Sequence, residues 1–443
     1  MGQFRIVAAV IAAAALTGCG SWFEPQKDDV IDPSQLNSPA ALATLRDGAR
    51  SDFAAAFAGN YDASQEGIVL TSGLVADEFD NADTYPTRTE MDRRTMNVLG
   101  QNSSLLDLYR SMHRARASLD NVASRTRELA PDKVDAIAEL QALSGLVHLS
   151  FAENFCSGVP LSAVDSTGQL VYGPQKTTTE LYDIAEAKFD SAASLDKANG
   201  TYIDLARLGK ARVLLDRGQL AAAAAAAAAV PTEFRYTTTH SGTNNRTTNA
   251  IYAFHYLGFR WSVGVGAGGG SGFVVDFARA NDLRLTIDPD PTLKRFDRAG
   301  RLYAPLMFNS RSSPTTVATG IEARLIEAEA KLAANDPTWI NTLNDLRAAA
   351  GMAPLADPLT RDARLQLLFQ ERGIWLFGQA IRLSDMRRLI RQYGFTQGQV
   401  LPTGPYLKGG DYGTDVNIPI PFGERNNPSV TVGAAGVCLD RNP

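Results

Sequence analysis

Between residues 321 and 351 the chain repeats apolar residues at steps of three and four on both sides of a single break. Ile321, Leu325, Ala328 and Leu332 come first, Asn335-Asp336-Pro337 interrupts, and Trp339, Leu343 and Leu346 resume the stepping until Gly351. Such spacing places one apolar stripe on each of two helices, and a break this short leaves them antiparallel. Helices are therefore expected over 321–334 and 338–349, with Leu325, Ala328, Leu332, Leu343 and Leu346 facing inward.

The same unit recurs upstream. Leu181, Ala185, Phe189 and Ala192 keep this spacing, as do Ile137, Leu140, Leu143 and Val147. From Asp204 to Ala229 a further pair is expected around the turn Asp216-Arg217-Gly218, its second helix built of nine consecutive alanines. Alanine is the strongest helix former and its small side chain lets neighbours approach closely. These hairpins resemble tetratricopeptide units, with irregular spacing between them. The period disappears over about 231–320, where Thr237 to Asn249 is polar and Gly264 to Gly272 is rich in glycine, and again over about 394–443, dense in Pro and Gly. The expected architecture is mainly α: one domain over 40–443, with a helical scaffold over about 40–230 and 321–393 carrying two irregular, loop-rich segments. Irregular segments on a rigid scaffold are where binding usually resides.

The amino terminus carries Arg5, an apolar run from Ile6 to Leu16, and then Thr17-Gly18-Cys19. That run is too short to span a bilayer, and small residues before a cysteine mark a lipoprotein export signal. Residues 1–18 are read as the signal peptide, Cys19 as the lipidated residue and 19–39 as a polar tether. Several acyl chains would anchor the mature chain stably. No later apolar run reaches the roughly 18 to 20 residues a membrane helix needs. A formal charge of -5, with no concentrated basic block, argues against nucleic acid as a partner. Cys156 and Cys438 remain, and the sequence leaves open whether they meet in a disulfide.

Motifs of catalysis are absent or out of context. Gly264-Val265-Gly266-Ala267-Gly268-Gly269 has dinucleotide-loop spacing but lacks the strand, helix and acidic residue that such binding requires, so it is read as a flexible loop. His113, His148, His240 and His255 are scattered, and no metal or other cofactor is expected.

Aromatic residues point to binding instead. Tyr252, Phe254, Tyr256, Phe259 and Trp261 crowd one stretch with His255 and Arg260, while Tyr85, Arg88, Arg93 and Arg94 follow the acidic segment Asp77 to Asp83. Sugar rings pack their C–H faces on aromatic planes, and their hydroxyls pair with polar side chains. The expected ligand surface combines Tyr85 and Arg88 with Trp261 and one of Tyr252 or Tyr256, which requires two distant segments to converge. Trp261, between Arg260 and a glycine-rich loop, is expected to be accessible. Tyr252, Phe254 and Tyr256 also fit one buried face of a strand.

From Glu371 to Arg388 the chain resembles the SusD/RagB family of outer-membrane nutrient-uptake lipoproteins, whose late signature reads E-R-x-x-E-L-x-x-x-G-x-R-x-x-D-L-R-R. Glu371, Arg372, Leu376, Arg382, Asp385, Arg387 and Arg388 match, whereas Met386 is a mild change and Trp375 and Ala380 replace the usual Glu and Gly. Ala138 to Leu161, with Phe155 and Gly158-Val159-Pro160-Leu161, resembles the family's helix ending in F-G-x-x-P-L, with Cys156 in place of Gly. Leu325 to Ala330 with Leu343 to Arg347 is similar to its final hairpin, and Ile418-Pro419-Ile420-Pro421 with Asn427-Pro428 to its closing segment. The resemblance implies a SusD-like fold and a lid over a SusC-like TonB-dependent transporter at the outer membrane, facing the exterior. It also implies capture of a glycan or, less often, a peptide, with no reaction catalysed. The matching charged residues read as an interhelical ion-pair face rather than a catalytic set. Two other classes fit the residues: a helical scaffold lipoprotein binding protein partners, and a surface-attached glycan hydrolase. The hydrolase would need two facing carboxylates roughly 5 to 9.5 Å apart.

Overall fold

The computed structural model describes residues 38–165, 169–195, 197–266 and 272–443. The signal peptide, Cys19 and nearly all of the tether lie outside the described residues, as does part of the Gly264–Gly269 run.

The protein is mainly α. Eight helices occupy the first half: α1 (Leu42–Ala58), α2 (Ile68–Val75), α3 (Pro86–Asp92), α4 (Ser103–Leu129), α5 (Val134–Asn154), α6 (Thr178–Ala193), α7 (Gly200–Asp216) and α8 (Leu220–Ala227). After the single turn α9 (Ala250–Tyr252) come α10 (Gly320–Ala333), α11 (Trp339–Ala349), α12 (Arg361–Trp375), α13 (Arg382–Arg391) and the short α14 (Gln397–Val400). Successive helices pack from α4 through α8 as tetratricopeptide-like hairpins, α1 lies against α4, and α8 hands the stack on to α10 and α11. Strands are short, antiparallel and paired two by two among the described residues.

Local chemistry explains the stack. Thr177 caps α6 in a reciprocal box with Glu180, satisfying amides that the first helical turn leaves unpaired. The ring of Phe189 is wedged between α5 and α7, where a Cβ on Gly145 or Gly209 would lie 2.6 or 2.3 Å from it. Only glycine lets three helices close on one aromatic ring there. In the alanine helix Ala223 and Ala227, four residues apart, are fully buried, and Arg324 of α10 donates to the Ala227 and Val230 carbonyls at 3.1 and 3.0 Å. A guanidinium at a helix carboxyl end satisfies free carbonyls and opposes the helix dipole.

The α10–α11 pair forms as its spacing predicts. Leu325, Ala328, Leu343 and Leu346 are buried, while Leu332, in the last turn of α10, is only half-buried. Cys156 and Cys438 form a disulfide with Cα atoms 5.8 Å apart. It fastens the last irregular segment to the end of α5, where Cys156 N–H donates to Ile418 O at 2.9 Å and Leu439 N–H to Ser157 O at 2.8 Å.

The signature's charged residues on α12 and α13, Glu371, Arg372, Arg382, Asp385, Arg387 and Arg388, are interior. Arg372 clasps Asp385 at 2.8 and 2.9 Å, and Arg388 bridges Asp385 and Glu329. Arg382 grips Asp77 with both nitrogens at 2.8 Å, and Arg387 donates to the last carbonyls of α5. Burial alone would raise the Asp385 carboxyl, but Arg372 and Arg388 outweigh it and hold the group down to about 2. Both departures from the family signature have a structural counterpart. Trp375 lies under the Arg284 guanidinium at 4.8 Å, and that same cation binds Glu371 at 2.6 Å. Ala380 adopts φ 59°, the left-handed region in which glycine is at ease and a Cβ is strained.

A candidate ligand-binding surface

The two distant segments named from the sequence do converge, through backbone pairing. Strand Phe79–Asn81 runs antiparallel to Trp261–Val263 with Asn81 opposite Trp261. The ladder continues past the strands: Ala82 N–H donates to Arg260 O at 2.9 Å, Asp297 N–H to Ala82 O at 2.9 Å, and Phe296 N–H to Phe259 O at 2.8 Å. Three chain segments are thereby held edge to edge, and Pro86 at the start of α3 turns the first of them away just after Tyr85.

Around this edge sits a stack of alternating rings and cations. The Arg260 guanidinium lies 4.0 Å from the Phe296 ring centroid and 5.2 Å from that of Tyr85, which also covers Arg88 at 4.9 Å. Tyr85 is 49 % and Phe296 45 % exposed, so both offer ring surface to solvent. Asp83, fully buried, fixes the cations from below: it pairs with Arg260 at 2.6 Å and with Arg88, which is also paired with Glu66. Lys408 closes the margin, bound to Asp297 at 2.7 Å and to the Asp83 carbonyl.

Beneath the surface lie three buried acids, Glu78, Asp80 and Asp92. Burial pushes Glu78 up to about 8. Burial and the neighbouring Asp92 push Asp80 up to about 7, and burial pushes Asp92 up to about 6 although it accepts from Asn81 N–H and the Tyr406 hydroxyl.

The structure changes the reading of several residues. Trp261, expected to be accessible, is fully buried between Phe79 and Phe254, because it belongs to a paired inner strand rather than to the glycine loop beside it. Arg88 is likewise buried, consumed by two carboxylates. Neither side chain meets solvent, and both support the surface from within. Tyr252, Phe254 and Tyr256 are not a strand face: Ala250–Leu257 is a helical turn passing into a π-helix, which stacks Tyr252 on Tyr256 at 5.4 Å and buries Phe254. Both tyrosines are half-buried, and Tyr256 packs against a small cluster formed by Ala82, Leu302 and Ala304. The sequence marks Arg260 only as a neighbour of Trp261 and does not single out Phe296. The signal for Phe296 was a lone aromatic among charges, Lys294-Arg295-Phe296-Asp297-Arg298, with no apolar neighbour in sequence to bury it.

No group of three or more His, Cys, Asp or Glu residues suited to a metal ion occurs among the described residues. The carboxylates nearest the stack, Asp83 and Asp297, are each bound to cations.

Comparison with known proteins gives one consistent result. No curated protein matches the chain in sequence. In fold it is similar to a SusD superfamily protein from Parabacteroides distasonis, with TM-score 0.64 and 14 % identity over 88 % of this chain and 98 % of that one. It is also similar to a SusD-like carbohydrate-binding protein from Bacteroides vulgatus, with TM-score 0.56 and 17 % identity over 79 % and 83 % of the two chains. A third likeness is to surface glycan-binding protein A from Bacteroides uniformis, with TM-score 0.61 and 12 % identity over 88 % and 98 %. At such identities the shared property is the fold. Residues 322–426, which carry the α10–α11 hairpin and the buried ion pairs of α12 and α13, match the SusD family model, and over that segment the signature, the fold and this match agree in their likeness to the SusD family.

Proposed function

We propose that the protein is a lipid-anchored outer-membrane protein, attached through Cys19 and facing the exterior, that captures a glycan and delivers it to a SusC-like TonB-dependent transporter. The observation that carries this reading is the exposed Tyr85–Arg260–Phe296 stack on a family scaffold. Two ring planes flank a fixed cation, which suits the apolar faces and hydroxyl edges of a sugar. Tyr252 and Tyr256 extend the aromatic area at its margin, while Arg88 and Trp261 act as its foundation. Binding is favoured over hydrolysis because the nearby carboxylates are neutralised by cations and cannot serve as free acid and base. Anchoring through lipid agrees with the described residues, none of whose helices is long and apolar enough to cross a membrane.

Two measurements test the reading. Protein retained on gels of immobilised polysaccharide should lose retention when Phe296 and Tyr85 are both replaced by alanine; retention unchanged in the folded double variant would remove the stack as the site. Cys19→Ser should appear in the soluble fraction, and its persistence in membranes stripped of transporter would rule out lipid as the anchor. Peptide capture instead of glycan capture would show as retention on casein-derived peptides alone.

A further inference from the structure

A cavity of about 370 Å³ lies between α4, the hairpin strands Ala163–Val164 and Leu170–Val171, and the loop around Glu424, beside the rings of Tyr109 and His113 that pack on Phe151 of α5. Three polar atoms of α4 that line it are buried without a hydrogen-bond partner in the protein: the Tyr109 hydroxyl, His113 Nε2 and Arg116 Nε. Tyr109 is 2 % and Arg116 8 % exposed, so water does not simply bathe them from outside. A buried polar group left unpaired costs about 1–3 kcal/mol, and these three lie on successive turns of one helix face.

Their chemistry is of one kind. A tyrosine hydroxyl and a guanidinium N–H donate, and a neutral imidazole can present its Nε2 proton. His113 is held neutral, since burial and then the Arg116 charge push it down to about 3. Arg116 donates to the Ser162 carbonyl, but no carboxylate of the described residues lies within 4.0 Å of it. Arg110 and Arg114, exposed and equally without an ion pair among the described residues, stand at the same cavity. The one acid of the lining is Glu424, whose carboxyl is pushed up by burial. Apart from Ser162 and Asn427, the remaining wall is apolar. Val164, Leu170 and Tyr172 are 65 %, 55 % and 46 % exposed on a hairpin that has no core of its own beneath them. Buried guanidinium groups are ordinarily paired with an anion, and an apolar wall facing a cluster of donors is how proteins hold a small ligand with a fixed orientation.

We propose that this cavity is a second binding site, separate from the Tyr85 surface, for a small molecule with an apolar body and a carboxylate: the carboxylate meets Arg116 and the Tyr109 hydroxyl, and the body lies against Val164, Leu170 and Tyr172. Charge-assisted pairing with Arg116 supplies the preference for an acid over its neutral analogue.

The test uses 3-phenylpropionate and its uncharged amide, 3-phenylpropanamide, with the mature protein in titration calorimetry. The acid should saturate one site and bind about tenfold or more tighter than the amide, the factor that about 1.4 kcal/mol of charge-assisted bonding represents. Arg116→Gln should abolish that preference by weakening the acid alone, and the Tyr85→Ala variant should bind the acid as the unmodified protein does. Because Arg116 is buried and its replacement could unfold α4, Leu170→Asp provides an independent check at an exposed position: it should weaken both ligands at an unchanged thermal midpoint. No saturable binding of the acid at millimolar concentration, equal affinity for acid and amide, or indifference of the acid to both Arg116→Gln and Leu170→Asp would each overturn the proposal.

Discussion

Arg388 and Arg260 make the same kind of contact in opposite settings. Arg388 lies 5.3 Å from the Phe369 ring and is wholly buried, bound to Glu329 and Asp385 in the junction of α10, α12 and α13. Arg260 lies 4.0 Å from the Phe296 ring with its side chain 25 % exposed, bound to a single carboxylate. In the first region the charges are consumed by one another and hold the angle and register of three helices. In the second, the carboxylate positions the cation but leaves aromatic faces open to a ligand. A cation on a ring is therefore architecture or recognition according to what covers it, and the difference should appear as a separation between stability and binding.

The strongest break of the comparison is Arg388→Met, which takes from Glu329 its closest cation and from Asp385 one of its two arginines, leaving buried negative charge undercompensated. It should destabilise the protein by about 3–5 kcal/mol, read by urea unfolding, because a buried ion pair is costly to halve. A loss under 1 kcal/mol would mean that water reaches the junction. Close behind comes Trp261→Ala, expected to cost about 3–5 kcal/mol as a large buried aromatic, with Leu346→Ala in the range of about 2–5 kcal/mol. If Trp261→Ala instead lowered glycan retention at an unchanged midpoint, its ring would have to be reachable by ligand, contrary to its place in the strand.

An intermediate effect comes from pH. Folding raises Glu78 from its ordinary value of 4.5 to about 8, so the folded chain keeps a proton that the unfolded chain releases. Its contribution is complete below 4.5 and is lost as pH rises through 8. Asp385 acts in the opposite sense: depressed from 3.8 to about 2, it stabilises above 3.8, and that contribution is lost as pH falls through 2. The thermal midpoint of Glu78→Gln measured against the unmodified protein should therefore rise between pH 5 and pH 8, with no change on the acid limb. An unchanged slope in the variant would place the proton elsewhere.

The smallest expected effect on stability sharpens the contrast most. Tyr85→Ala and Phe296→Ala should each shift unfolding by no more than about 0.5 kcal/mol, as exposed substitutions do, while reducing retention on the immobilised glycan. A large stability loss in either would convert that ring from recognition to architecture.

The hairpin of α10 and α11 could be read residue by residue because its apolar stripe repeats within two helical turns, and burial of Leu325, Ala328, Leu343 and Leu346 follows from that local period. The ion pairs of α12 and α13 were half legible. Their helical spacing pointed to an interhelical face, but Asp77, Glu329 and Asp216, which complete the pairs, come from other parts of the chain. In the aromatic segment the spacing misled: Tyr252, Phe254 and Tyr256 alternate like a strand, yet Asn249 caps a helical turn there by accepting from Tyr252 N–H.

The sequence by itself determined the helical scaffold and the SusD-like signature, since these rest on local periodicity and on motifs that survive without a neighbour. Which aromatic residues face solvent was decided only in three dimensions. Trp261 and Phe296 are both large aromatics beside an arginine, and although Phe296 sits among charges, the neighbours of neither say which segment it will pair with. Pairing of Trp261–Val263 with Phe79–Asn81 turned the first inward, and the bonds of Ala82 and Phe259 to residues 296 and 297 left the second at the edge. Exposure is set by the partner a residue acquires across the fold, and a backbone hydrogen bond between segments about 180 residues apart leaves no periodic trace in either one.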